Sequence, residues 1–182
     1  MRIDPASHVV VGVRFVPSPN FDERPINTPI SLIVIHNISL PPNEFGGPYI
    51  EQLFTNQLDP KAHPYFEKLS EKRVSAHILI RRDGRILQFV PFNKRAWHAG
   101  DSSYKGKPRS NDYSIGIELE GADDIAYEAV QYTVLATLVD SLRIAYPFLS
   151  REDVAGHSDV APGRKTDPGP AFNWQNLRKL LA

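Results

Sequence analysis

The chain has 182 residues, 41% hydrophobic and 23% charged, with 21 Lys and Arg against 21 Asp and Glu and no cysteine. That length suits one domain spanning residues 1–182, and the composition excludes disordered, collagen-like and coiled-coil chains. Balanced charge gives no field to draw nucleic acid or anionic lipid, and the absence of thiols removes disulfide frameworks and cysteine nucleophiles, so any metal must use His and carboxylates.

The first residues carry no apolar signal segment, and no stretch approaches the ~18 apolar residues of a membrane span, which predicts a cytoplasmic protein. Residues 31–36 form a short apolar run rich in β-branched side chains, predicting a strand buried on both faces that ends on His36. Residues 37–63 hold Pro41-Pro42, Gly46-Gly47-Pro48 and Asp59-Pro60 around one short helix at 49–56, an irregular excursion of the kind that lids a site. The stretches 76–82 and 85–90 flank Asp83-Gly84, which predicts an antiparallel hairpin with a two-residue primed turn. Residues 114–121 read as a strand with Ile115, Ile117 and Leu119 on one face and Glu118 and Glu120 on the other. Tyr127, Val130, Val134, Leu138, Leu142 and Ala145 recur at helical spacing until Pro147, so about five turns should lie across the sheet. A Gly/Pro-stiffened loop at 155–170 and a helix from about 173 to 181 complete a mixed α/β chain.

Six histidines stand at 8, 36, 63, 77, 98 and 157. His36, at the end of a buried strand, could meet His157 and Asp167 of the stiff final loop. Two imidazoles and one carboxylate leave an open zinc position for water. The structural alternative is that His36 caps a strand, His157 bonds a carbonyl and Asp167 makes a turn; spacing alone leaves both open. The glutamates are a solvated strand face or, if half-buried beside a metal, a source of a general base. Arg81-Arg82-Asp83 reads as a solvated hairpin tip and residues 105–109 as a basic surface loop. Trp97-His98-Ala99-Gly100 is either core packing or a sugar-stacking platform. No glycine-rich phosphate loop precedes a helix, so nucleotide binding has no support.

Several segments also occur together and in order: Val34-Ile-His-Asn-Ile-Ser39, Phe45-Gly-Gly-Pro48, Val74-Ser-Ala-His77, Arg95-Ala-Trp-His-Ala-Gly100, Ser114-Ile-Gly-Ile-Glu-Leu-Glu-Gly121, and Gly156-His-Ser-Asp-Val-Ala-Pro162 with Arg164-Lys-Thr-Asp-Pro-Gly169. Through them the chain, from about residue 9 to its end, resembles the type 2 N-acetylmuramoyl-L-alanine amidases, relatives of the peptidoglycan recognition proteins. Within that family it is similar to the cytoplasmic 1,6-anhydro-N-acetylmuramyl-L-alanine amidases of cell-wall recycling. The resemblance implies a central mixed β-sheet flanked by helices and one Zn2+ per chain on His36, His157 and Asp167. It also implies Glu118 as catalytic carboxylate and Lys165 as catalytic lysine; Glu120, two residues farther along the strand, then makes a structural ion pair or orients a neighbouring group. Substrate contacts map onto Asn37, Arg73, Trp97 and Arg109, and the partner is an anhydro-muropeptide met by a monomeric enzyme. Ser158 departs from relatives that often carry Cys there, a residue that is not a ligand. A non-catalytic muropeptide-binding module would be expected to lack a metal ligand, and an envelope amidase to carry a signal or lipoprotein segment.

Overall fold

A computed structural model describes all 182 residues. The chain runs through β1 (Arg14–Phe15), β2 (Phe21–Glu23), β3 (Leu32–Ile38), α1 (Tyr49–Phe54), a 3-10 helix (Pro64–Leu69), β4 (Ile78–Ile80), β5 (Ile86–Gln88), β6 (Lys94–Ala96), β7 (Ser103–Tyr104), β8 (Lys107–Pro108), β9 (Ser114–Glu120), α2 (Ala129–Ala145), β10 (Val154–Gly156), α3 (His157–Val160) and α4 (Trp174–Leu181). Six strands form one sheet in the order β1-β5-β4-β9-β3-β10. All neighbours are parallel except the β4–β5 hairpin, so the sheet is mixed. No helix is long and apolar enough to cross a membrane.

Alternation along the central strands divides the core. Ile33 and Ile35 of β3, Ile78 and Ile80 of β4, and Ile115, Ile117 and Leu119 of β9 join Leu135, Leu138, Val139 and Leu142 of α2 in the largest apolar cluster. Side chains two apart in a strand share a face, so His36, Ser114, Gly116, Glu118 and Glu120 all belong to the opposite face. There a second cluster forms around Leu79, Leu87, Phe89, Phe66, Ile50, Leu53 and Phe54. The excursion after β3 thus contributes α1 and the 3-10 helix to the far layer. Deleting a buried leucine such as Leu138 to Ala should cost about 2–5 kcal/mol.

Four local expectations need correction. The β4–β5 connection is a three-residue loop: Gly84 N–H donates to Arg81 O at 2.9 Å and Arg81 N–H to Arg85 O at 2.8 Å. Gly84 alone takes a left-handed φ of 84°, whereas a primed turn would require Asp83 to do so as well. Arg81 is not solvated but buried, its guanidinium bonded to Glu120 at 2.7 Å and to Glu51 at 3.1 Å. The acidic face of β9 is also not solvated: all seven residues of the strand are buried. In α2, Val130 and Ala145 are exposed. Steps of four residues advance about 40° beyond a full helical turn, so a stripe read at 130, 134, 138 and 142 rotates off the sheet at its start. Gln131 takes the buried place there, its amide donating to Ile80 O at 3.3 Å and Glu120 O at 3.1 Å while its oxygen accepts from Glu128 N–H at the helix start.

Candidate active site

The parallel pairing of β3 with β9 places His36 directly opposite Glu118. β10, pairing with β3 on its other side, sets Gly156 opposite Ile35 and so delivers His157 at the first turn of α3 to the same end of the sheet. The following loop folds back: Ser158 N–H donates to Asp167 O at 2.9 Å, and the Asp159 carboxylate accepts from Gly156 N–H at 2.7 Å. A cis peptide joins Asp167 to Pro168. Three donor atoms converge, with His36 Nδ1 2.9 Å from His157 Nδ1 and 3.1 Å from Asp167 Oδ2, and His157 Nδ1 3.0 Å from that same oxygen. Both histidines are buried and Asp167 nearly so.

The electrostatics of this cluster favour a cation. Burial pushes the His36 imidazole down to about 4, so at neutral pH the ring is a neutral lone-pair donor. Burial alone would raise the Asp167 carboxyl, but the His157 and His36 rings hold it well below the usual carboxylate range. Two imidazoles and an ionised carboxylate, close enough to share one ion, fit the donor chemistry of zinc. His157 has its second nitrogen 3.2 Å from the carbonyl of Ala99, which can only accept, so the proton sits on Nε2 and Nδ1 is left free.

Glu118 lies beside this cluster and its Oε2 is buried without any hydrogen-bond partner. Burial, reinforced by the Asp167 charge and opposed by Lys165, raises its carboxyl well above the ordinary value. A cleft of about 470 Å³ opens over these groups and is walled by Asn37, Trp97, Lys165, Arg164, Lys72 and, from the excursion, Leu53, Phe54, Tyr65 and Leu69. The sequence-selected residues therefore separate. His36, His157, Asp167, Glu118, Lys165, Asn37 and Trp97 meet at one cleft. Arg73 and Arg109 do not line it: Arg73 is exposed and donates to the carbonyls of Ser70 and Lys72, while Arg109 projects into solvent and pairs with Asp112 at 3.2 Å. Asn37 spends its amide on Asp123 at 2.8 Å and on the Pro168 carbonyl at 3.1 Å, which also accepts from the Tyr127 hydroxyl at 2.7 Å. Asn37 thus braces the loop that carries Asp167.

Sequence reasoning missed two more imidazoles. His98 Nδ1 stands 3.0 Å from His36 Nε2, and His77 packs its ring against His98 at 5.8 Å between centroids. Burial pushes His77 down to about 3 and His98 well below its ordinary value. The available signal was Gly116 in a strand of larger residues, because a strand glycine often marks a close approach. A Cβ there would lie 2.4 Å from the His98 ring.

Two imidazoles and an ionised carboxylate beside a proton-accepting carboxyl and a lysine suit the hydrolysis of an unactivated amide, which needs an activated water, a stabilised oxyanion and a proton for the leaving amine. The chain belongs to the N-acetylmuramoyl-L-alanine amidase family (Amidase_2), whose model matches residues 26–170. It is 57% identical over 173 residues to the 1,6-anhydro-N-acetylmuramyl-L-alanine amidase AmpD of Escherichia coli K12, covering 95% of this chain and 94% of that protein. The crystal structure of a selenomethionine AmpD derivative superposes with a TM-score of 0.96 at 54% identity, over the full length of both chains. The E. coli amidase AmiD, solved in complex with the substrate anhydro-N-acetylmuramic acid-L-Ala-D-γ-Glu-L-Lys, has a TM-score of 0.60 at 30% identity, covering 88% of this chain and 65% of that one.

Proposed function

We propose that this chain is a zinc-dependent 1,6-anhydro-N-acetylmuramyl-L-alanine amidase that cleaves the amide between the lactyl group of the sugar and L-alanine. In this reading it acts as a monomer on anhydro-muropeptides in the cytoplasm, during cell-wall recycling. The observation that carries the reading is the convergence of His36, His157 and Asp167 within 4.8 Å of one another beside a buried, unpartnered Glu118. The near full-length similarity to AmpD supports the substrate class.

Zinc bound by His36, His157 and Asp167 would polarise the scissile carbonyl and acidify a water. Glu118 takes the proton of that water. Its raised proton affinity matches the task, since a carboxyl poised nearer to neutrality both accepts and returns a proton efficiently. It then hands the proton to the departing amine of L-alanine. Lys165 contributes its ammonium to the oxyanion developing on the carbonyl oxygen. Trp97 offers an aromatic wall to the sugar, and the cation of Lys72 faces the carboxylates of the stem peptide, while Arg164 holds the Ala99 and Asp101 carbonyls at the cleft wall. Asn37 acts on the substrate indirectly, through the Asp167 loop. Arg73 and Arg109, outside the lining, exert only a long-range pull on the anionic peptide.

Metal analysis and product identification test the reading together. The protein purified without chelator should carry one zinc, and incubation with purified anhydro-muropeptide should release the anhydro-sugar and the intact stem peptide by mass spectrometry. Chelation should abolish turnover and lower the melting temperature, because the ion binds only the folded chain. Zinc-free protein of full activity, or a His157→Ala variant with unaltered turnover, would sink it.

A further inference from the structure

We infer that His98 is a positioning residue: by accepting the proton of His36 Nε2 at its own Nδ1, it leaves His36 Nδ1 free to serve as a metal donor. The inference rests on the zinc reading above and concerns a residue that lines the same cleft but supplies none of the three donor atoms.

The geometry is specific at each link. His36 Nε2 and His98 Nδ1 are 3.0 Å apart with the rings nearly perpendicular, at 87°. Only one of two facing imidazole nitrogens can carry the shared proton. If it sat on His98, neutral His36 would carry its proton on Nδ1, pointing into the three-donor cluster and closing it to a cation. The other end of His98 meets Ser114 Oγ at 3.1 Å, an oxygen able to accept the Nε2 proton that His98 must then carry. His77 cannot disturb this polarity. Its Nδ1 accepts from Gly116 N–H at 3.0 Å, which puts its proton on Nε2, toward the Lys94 carbonyl at 3.0 Å and beside the Arg24 guanidinium at 3.2 Å; neither nitrogen is hydrogen-bonded to His98.

The position of the His98 ring is fixed by backbone as well as by partners. Asn111 Oδ1 accepts from the N–H groups of His98 and Ala99, at 3.3 and 2.8 Å. Arg24 in turn holds the segment carrying Asn111 by donating to the carbonyls of Phe92, Asn111, Asp112 and Ser114. The bare face of Gly116 makes the space for the ring. The two metal-facing imidazoles are thereby oriented from one segment: the Ala99 carbonyl sets His157, and His98 next to it sets His36. Outer partners of metal-bound histidines raise affinity by holding tautomer and ring plane, and their loss typically costs 10–100-fold.

The test combines zinc affinity with the location of the proton. In wild-type protein loaded with zinc, 15N NMR of the imidazoles should show a proton on His36 Nε2 and a coupling across the hydrogen bond to His98 Nδ1. His98→Phe keeps a ring but has no acceptor, so its zinc affinity against a competing chelator should fall 10–100-fold. His98→Asn, whose Oδ1 can replace Nδ1 as acceptor, should recover most of the loss. A proton found on His98 Nδ1 in the zinc-loaded wild type would overturn the inference even if His98→Phe failed to fold. So would wild-type affinity in a folded His98→Phe. Wild-type protein that binds no zinc would instead overturn the metal reading itself, and this inference with it.

Discussion

Glu118 and Glu120 stand two residues apart on one face of β9, both buried, yet their surroundings give them opposite tasks. Glu120 is saturated: it accepts from Arg81 at 2.7 Å, from Gly46 N–H at 2.7 Å and from Arg82 N–H at 3.2 Å. Glu118 sits beside His36, His157 and Asp167 with one oxygen unpartnered and has only the Lys165 charge to favour ionisation. The pair teaches that burial alone does not assign a carboxylate. The partners decide whether it locks a fold or holds a mobile proton.

The largest effect should come from Glu118→Gln, which keeps the shape and the proposed zinc donors but cannot take a proton. Turnover should fall by about 10²–10⁴-fold with zinc content unchanged, and near wild-type kinetics would move the base elsewhere. Glu120→Gln should do the reverse. It weakens a buried ion pair and the tether of Gly46, so unfolding free energy should drop by on the order of 3 kcal/mol while turnover per folded molecule changes little. Calorimetry and kinetics on the same sample would separate the two residues, and a loss of turnover without loss of stability would erase the contrast.

Acid dependence sharpens the comparison further. Since burial raises the folded-state value of Glu118 above its ordinary 4.5, the folded chain holds that proton more tightly than the unfolded chain. The resulting stabilisation is complete below about pH 4.5 and is lost as pH rises toward the folded value, by up to about 1.4 kcal/mol per pH unit. Gln resembles the protonated acid, so metal-free Glu118→Gln should melt above metal-free wild type at neutral pH, and the gap should close on acidification to pH 4. A gap that widens with acid would mean Glu118 is stabilised as the anion. The smallest effects separate cations inside and outside the cleft. Lys72→Ala should raise KM severalfold on a full stem peptide, whereas Arg109→Ala should leave kcat/KM within about threefold and stability within about 0.5 kcal/mol.

The strand and helix periods were readable because alternation and β-branching act locally: β3, β9, α4 and the hairpin fall where the pattern puts them. The family motifs also named the cleft residues His36, His157, Asp167, Glu118 and Lys165, although no spacing in the chain could bring them together; that takes the parallel register of three strands. What escaped the sequence was pairwise. Arg81 looked like a solvated tip because its partners Glu120 and Glu51 lie 39 and 30 residues away. His98 looked like core or platform because its meaning depends on a strand glycine that gives it room. The stripe of α2 was misplaced at its start for want of knowing which rows the sheet would cover.

The pairing of β3 with β9 has a final consequence for how this protein can fail. His36 and Glu118 owe their shared face to a ladder in which every rung, from Leu32 with Ser114 to Ile38 with Glu120, is in step. A slip of β9 by a single residue would carry Glu118 to the α2 side and bring an isoleucine or leucine to the cleft. No partly slipped sheet can be partly active. The apolar layer beneath α2, which would have to accept two carboxylates in such a state, therefore acts as a proofreader for the chemistry on the opposite side: it makes the misregistered chain too unstable to persist.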